Sequence, residues 1–257
     1  MIKPIFITST GTNIGKTYLT NLLIKRAKML NYKIKAIKPI ISGFNINNLD
    51  ESDSGIILKA LGKNKSYLDE ISPWRFETPL SPDMAANVAK KEINFKELIS
   101  FCNSHIISKD EDILIIEGVG GTMVPINNKF TILDLMKSLD IPIILTIGSY
   151  LGTISHTLNA YEVLIKNKKK PEIIIEETFS GKYAVDIPKS PLNKCFRYIK
   201  YLSNRGPSVK PKVCFRASIA SGFNLPLKLA NITETGSPGI IRGIKKFNVI
   251  AAQPAIA

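Results

Sequence analysis

The first part of this 257-residue chain is predicted to be α/β, a parallel sheet flanked by helices, and three observations carry that reading. The strand candidates are apolar without polar alternation, Ile113 to Ile116 above all, as strands covered on both faces must be. Stretches with apolar residues at helical spacing separate them, the alternation expected of a parallel sheet. Between the first strand and the first helix lies a polar, glycine-containing loop ending in Gly15-Lys16-Thr17, the setting a phosphate-binding loop requires.

Ile2 to Thr8 is β-branched and aromatic and reads as the first strand. Thr17 to Leu30 carries Leu19, Leu22, Leu23, Ala27 and Leu30 on one helical face. Lys33 to Ile41 reads as a second strand and Ser54 to Leu61 as a short helix. Phe95 to Ile107 is predicted helical, with Leu98, Ile99, Phe101 and Cys102 near one face. Thr131 to Leu139 is a helix, Ile141 to Ile147 a buried strand and Ser155 to Ile165 a further helix.

Composition sets bounds. Hydrophobic residues are 44% and charged residues 22%, ordinary globular usage that excludes wholesale disorder. The best apolar run, Ile141 to Ile154, is 14 residues, short of the roughly eighteen that a membrane span needs. The first residues lack the long apolar region of a secretory signal. Three cysteines, Cys102, Cys195 and Cys214, form no CxxC pair; the odd count argues for a reducing cytoplasm rather than a disulfide framework. The net charge of +14 is unevenly placed: residues 1–165 hold 18 basic and 16 acidic side chains, residues 166–257 hold 17 and 5. The predicted organisation is therefore an α/β nucleotide- and substrate-binding domain over 1–165 and a basic C-terminal segment over 166–257, punctuated by prolines. That segment reads either as a solvated, partly disordered extension or as an arm for nucleic acid or an anionic membrane. It carries no nucleic-acid-binding signature, and no nucleic-acid or membrane partner is expected.

The loop Ser9-Thr10-Gly11-Thr12-Asn13-Ile14-Gly15-Lys16-Thr17 supplies the candidate chemistry. Backbone N–H groups at a helix start favour an anion, Gly15 lets the backbone approach phosphate, Lys16 reaches the β/γ oxygens, and the Thr17 hydroxyl can ligate Mg²⁺. The strict pattern needs glycine at position 10, where this chain has threonine, so the loop is a variant. Glu117 ends an apolar strand ahead of Gly118-Val119-Gly120-Gly121, where a metal-binding acid belongs. Lys38, at the end of the second strand, points at the same crevice and is a candidate to neutralise charge during transfer. His105, Trp74 and the cysteines read as packing residues.

Six stretches together resemble the dethiobiotin synthetase family: Thr10–Thr17, Lys38-Pro39-Ile40-Ile41-Ser42-Gly43, Ser52-Asp53, Phe76–Pro82, Ile116–Gly121 and Gly148–His156, in the expected order over about residues 2–165. The resemblance implies a P-loop NTPase-like cytoplasmic ligase of biotin biosynthesis. It would use ATP and Mg to carboxylate 7,8-diaminononanoate with CO₂ or bicarbonate and close the ureido ring. By the same resemblance, Lys16 and Lys38 are catalytic, and Thr17, Asp53 and Glu117 hold the metal. Thr12, Asn13, Ile14, Gly15, Lys16, Thr17, Glu117, Gly118 and Gly120 bind the nucleotide. Thr12, Ser42, Gly152, Thr153, Ile154 and Ser155 bind substrate, with the active site at a homodimer interface. Departures are Ser9 for a usual glycine, Asn13 for an acid, Asp83 for histidine and Ser155 for asparagine. A serine forced to positive φ at position 9 costs about 1 kcal/mol or more, and altered loop geometry is expected there. The family's adenine-reading asparagine has nominal counterparts in Asn224 and Asn231, and replacement of the ancestral C-terminal third is expected. The alternatives are a partition-type P-loop ATPase with a basic tail, disfavoured by the lack of a second lysine early in the loop, and an inactive relic.

Overall fold

The computed structural model describes residues 2–176, apart from 109 and 149, and the backbone of a strand at 215–218. What was expected of the basic segment beyond residue 176, including Asn224 and Asn231, lies outside the described residues. In chain order the elements are β1 (Lys3–Ser9), α1 (Lys16–Met29), β2 (Ile34–Ile37), β3 (Ile40–Ser42), α2 (Asp53–Leu61), α3 (Leu68–Ile71), β4 (Trp74–Phe76) and α4 (Pro82–Val88). They continue with α5 (Phe95–Ile107), β5 (Ile113–Glu117), α6 (Ile132–Leu139), β6 (Ile143–Gly148), α7 (Thr153–Lys166), β7 (Glu172–Glu176) and β8 (Phe215–Ser218).

The main sheet runs β2-β5-β1-β6-β7-β8. Its first five strands pair in parallel and β8 pairs antiparallel with β7. The chain leaves the central β1 for one edge, returns to β5 and then crosses to β6 on the other side of β1. Such a reversal opens a crevice at the carboxyl ends of the strands. The apolar runs behave as their composition demands: Phe6, Ile7 and Ile113 to Ile116 are fully buried. Helix starts follow local chemistry. Asn94 Oδ1 accepts from the Lys96 N–H ahead of α5, and Thr131 with Asp134 forms a capping box on α6.

Three expectations are corrected. The strand predicted over residues 33–41 is two strands. Pro39 lacks an N–H and biases its predecessor away from regular pairing; β2 pairs with β5, while β3 leaves to pair with β4 in a second, two-stranded sheet. The sheet also continues past residue 165, because β7 lies in register beside β6, Ile144 opposite Glu172 and Gly148 opposite Glu176. Finally, Ser9 carries no positive φ. It ends β1, and the left-handed positions of the loop are Asn13 (φ 58°) and Gly15 (φ 91°). The turn falls later in the loop than the glycine it replaces, so the serine is unstrained.

Candidate active site

The site is set by register. Ile37, the last residue of β2, lies opposite Ile116 of β5. Lys38 is therefore level with Glu117, and the break at Pro39 leaves its side chain free of a continuing strand. Its N–H is held by the Ile71 carbonyl at 2.9 Å. The Lys38 ammonium lies 2.7 Å from Glu117 Oε1 and 2.8 Å from Asp53 Oδ2. Lys38 and Glu117 are both buried, while the Asp53 side chain is 42% exposed.

Asp53 reaches this point because of a close approach. Ser52 caps α2, accepting from the Gly55 N–H at 3.0 Å, which places Asp53 in the first turn. A Cβ on Gly55 would lie 1.8 Å from the Leu49 carbonyl oxygen. Glycine is therefore required there, and it lets the helix start sit down on the preceding turn.

Helix α1 delivers three more groups. Its N-cap is Gly15, and its first turn has neither a side-chain cap nor an acidic residue. The positive end of the helix is thus offered to the loop, the arrangement that binds an anion. Thr17 Oγ1 donates to Glu117 Oε1 at 2.6 Å. Thr20, one turn on, donates to Glu117 Oε2 at 2.6 Å. The Lys16 ammonium folds back on its own loop, 3.1 Å from Ser9 Oγ and 3.1 Å from the Gly11 carbonyl. Ser9 Oγ in turn lies 3.1 Å from the Gly120 carbonyl, so it ties the phosphate loop to the glycine-rich loop after β5. The Thr10 hydroxyl, at the loop's start, is buried without a partner.

Burial opposes the charge on Lys38, but the Glu117 and Asp53 carboxylates outweigh it and hold the ammonium above lysine's ordinary range. Burial likewise opposes the charge on Asp53, yet the Lys38 ammonium keeps this carboxyl below its usual value. At neutral pH the centre is thus a cation between two carboxylates. It has the donor chemistry for a divalent metal: two carboxylates and the Thr17 hydroxyl, all hard oxygens, already arranged around a positive charge. Among the described residues there is no group of three or more acidic, histidine or cysteine side chains that could hold a metal, so phosphate and water oxygens would have to complete the shell.

The structure thus brings Lys16, Thr17, Lys38, Asp53 and Glu117 to one point, with Gly120 tied in through Ser9. Gly118 packs on the Phe6 ring. Thr12 and Asn13 sit exposed at the loop tip and Ile14 is half-buried. Ser42 ends β3, and the adjoining Gly43 backs onto Pro79. The expected substrate residues Gly152, Ile154 and Ser155 line a different feature, an open apolar cleft of about 460 Å³ along α7 with Tyr150, Leu151, Leu158 and Asn159. Thr153 bonds the Gly148 carbonyl. The cleft adjoins the loop through Gly148, where a Cβ would meet the Tyr150 ring at 2.9 Å and Ile14 Cδ1 at 3.6 Å. Thr20 is a residue sequence reasoning passed over, and Ser9, read there only as a departure from glycine, ties two loops together. Thr20 had one legible signal, a polar residue on the otherwise apolar inner face of α1.

Trp74, His105 and Cys102 are packing residues. Trp74 meets Phe101 edge-on at 5.6 Å and His105 meets the same ring at 4.8 Å. Cys102 is buried, and burial pushes its thiol up to about 12, far from a thiolate nucleophile. Cys195 and Cys214 lie outside the described residues. His156 hydrogen-bonds the Tyr150 hydroxyl at 2.8 Å.

Known proteins share parts of this chain. The AAA domain model matches residues 3–178. The ATP-dependent dethiobiotin synthetase BioD of Caulobacter vibrioides (strain NA1000 / CB15N) is 39% identical over 163 residues, 63% of this chain and 74% of the relative. That of Acidiphilium cryptum (strain JF-5) is 42% identical over 162 residues, 62% of this chain and 72% of the relative. Among solved structures, a ParA family ATPase from Chlorobium tepidum TLS aligns with 67% of this chain and 73% of its own, at 14% identity and a TM-score of 0.40.

Proposed function

This chain belongs to the AAA domain family and, within it, to the ATP-dependent dethiobiotin synthetases, and from that premise we propose how its residues divide the work. The enzyme is an ATP-dependent cyclo-ligase of biotin biosynthesis. The observation that carries the division of labour is the convergence of Lys38, Asp53, Thr17 and Glu117 at hydrogen-bond distance beside the phosphate loop.

The reaction joins an amine of 7,8-diaminononanoate to CO₂ as a carbamate. The carbamate oxygen then attacks the γ-phosphorus of ATP, ADP leaves, and the second amine displaces phosphate from the mixed anhydride to close the ring. Both partners in the phosphoryl step are anions, so positive charge must be concentrated at the transferring group. The open N-terminus of α1 and the loop amides from Thr12 to Gly15 hold the phosphates. Lys16 leaves Ser9 and Gly11 to reach the β/γ oxygens. Lys38, charged throughout the physiological range because two carboxylates face it, swings its ammonium toward the carbamate and the γ-phosphoryl. Asp53, Glu117 and Thr17 hold Mg²⁺, which when bound neutralises the phosphate oxygens. Thr12 and Ser42 donate hydrogen bonds to the carbamate or accept them from the amines. The amides of Gly152 to Ser155, at the start of α7, take the substrate carboxylate, offered across a homodimer interface that the apolar cleft and the 98% exposed Leu151 suit. Among the described residues no helix is long and apolar enough to cross a membrane, and a cytoplasmic location is proposed.

The direct test supplies the diamine, bicarbonate, Mg²⁺ and ATP and follows phosphate release together with dethiobiotin. Release that depends on the diamine is expected. Release stimulated instead by DNA or lipid would move the chain to the partition-type reading.

A further inference from the structure

We infer that Thr20 is a positioning residue of the reaction centre: its hydroxyl sets the rotation of the Glu117 carboxylate and so decides which oxygen is presented to the cation. The inference rests on the reading of Glu117 as a metal carboxylate.

Glu117 is the last residue of β5, and its carboxylate can turn about its terminal torsion, which is broad and two-fold. Each of its oxygens is assigned in the structure. Oε1 takes Thr17 at 2.6 Å and Lys38 at 2.7 Å; Oε2 takes Thr20 at 2.6 Å. The Oε1 contacts belong to groups with other duties. Thr17 has to engage the metal and Lys38 the carbamate and the γ-phosphoryl, so their contacts with Glu117 are exchanged during the reaction. The Thr20 contact is of another kind. It comes from the inner face of α1, is fully buried, and holds the oxygen that Thr17 and Lys38 do not use. It therefore persists while the other side of the carboxylate changes partners.

Thr20 also lies 3.0 Å from the Lys16 carbonyl oxygen. A threonine hydroxyl has a single hydrogen, and the closer, charged carboxylate is the stronger acceptor. The χ1 of a β-branched residue in a helix is restricted, and for threonine that carbonyl contact selects among its few rotamers. The hydroxyl is thus aimed by the helix at Oε2. A purely structural role, back-bonding to Lys16, is the competing explanation.

The test uses Thr20→Val, which replaces the hydroxyl by a methyl of similar size, and Thr20→Ser, which keeps it. Binding of a fluorescent non-hydrolysable ATP analogue is titrated with Mg²⁺ in the absence of diamine, and diamine-dependent phosphate release is titrated alongside. The Mg²⁺ needed for half-maximal binding should rise about tenfold in Thr20→Val, equivalent to about 1.4 kcal/mol, and stay within about twofold of wild type in Thr20→Ser. An unchanged Mg²⁺ requirement in Thr20→Val overturns the inference. So does impairment of Thr20→Ser as large as that of Thr20→Val, which would mean that the fit of the whole threonine side chain, rather than its hydroxyl, is what counts. Should Thr20→Val fail to fold, Thr20→Cys replaces it with a weak donor; an intermediate shift supports the inference and a wild-type titration overturns it. If wild type shows metal-dependent nucleotide binding but no diamine-dependent release, the proposed function fails while the Thr20 comparison still stands on the binding arm.

Discussion

Replacing Lys38 by methionine tests the electrostatic centre at its hinge. Methionine keeps the length of the aliphatic stem and deletes the ammonium. Each of the two carboxylate contacts, at 2.7 and 2.8 Å, is worth roughly 6 kcal/mol of gross attraction at an effective dielectric near 20. That gain is largely offset by the cost of burying the charges. The net effect of deletion is therefore the cost of stranding what remains. Removing one partner of a buried pair costs about 3–5 kcal/mol. Here Thr17 and Thr20 still satisfy Glu117, and Asp53 is partly solvated, with 42% of its side chain exposed, so a smaller cost, about 2–3 kcal/mol, is expected. For a domain of this size that is roughly 5–10 °C of melting temperature.

The sign of the pH dependence follows. Lys38 depresses the Asp53 pKa below 3.8 in the folded state, so this contribution is present above that value and is lost as pH falls through the folded pKa. The gap between variant and wild type should be widest near pH 7 and narrow below about pH 4. Thermal melts across pH, with phosphate release measured at pH 7, check it. Turnover should fall about 100-fold or more. A variant that melts with wild type at neutral pH, or whose deficit does not shrink on acidification, would refute the reasoning.

Lys16→Ala should cost about 100-fold or more in turnover by removing transition-state charge, and near-normal phosphate release would remove Lys16 from the catalytic set. Glu117→Gln should raise the Mg²⁺ concentration needed for half-maximal turnover; an unchanged titration would take Glu117 out of the metal site. Gly55→Ala should destabilise by about 1–3 kcal/mol, because its Cβ falls 1.8 Å from the Leu49 oxygen, and should raise the Mg²⁺ concentration needed for half-maximal turnover by displacing Asp53; melting and metal titration read both. Burial and nearby Lys35 hold His105 down at about 4, against 6.5 when free. Since the unfolded chain binds the proton first, stability is full above pH 6.5 and falls as pH drops toward 4. Replacing His105 with phenylalanine should flatten that part of the stability–pH curve in acid melts.

What the amino-acid sequence determined by itself was local and periodic. Unbroken apolar runs such as Ile113 to Ile116 mark strands covered on both faces. The spacing of Leu19, Leu22, Leu23 and Ala27 marks α1, and Gly15-Lys16-Thr17 marks the phosphate loop, because each depends on neighbours in the chain. The Pro39 break carried a sequence signal too, a proline inside an apolar stretch, but its consequence was invisible, since which strand pairs with which is a long-range choice. Tertiary structure alone decided that Lys38 stands level with Glu117, through the pairing of Ile37 with Ile116. It also decided that the Gly55 approach seats Asp53, and that Thr20 and Ser9 complete the shell around Glu117 and Lys16. These groups, up to about a hundred positions apart in sequence, meet because packing the sheet and its helices places them a few ångströms apart, and charge and hydrogen-bond satisfaction in a buried centre then hold them there.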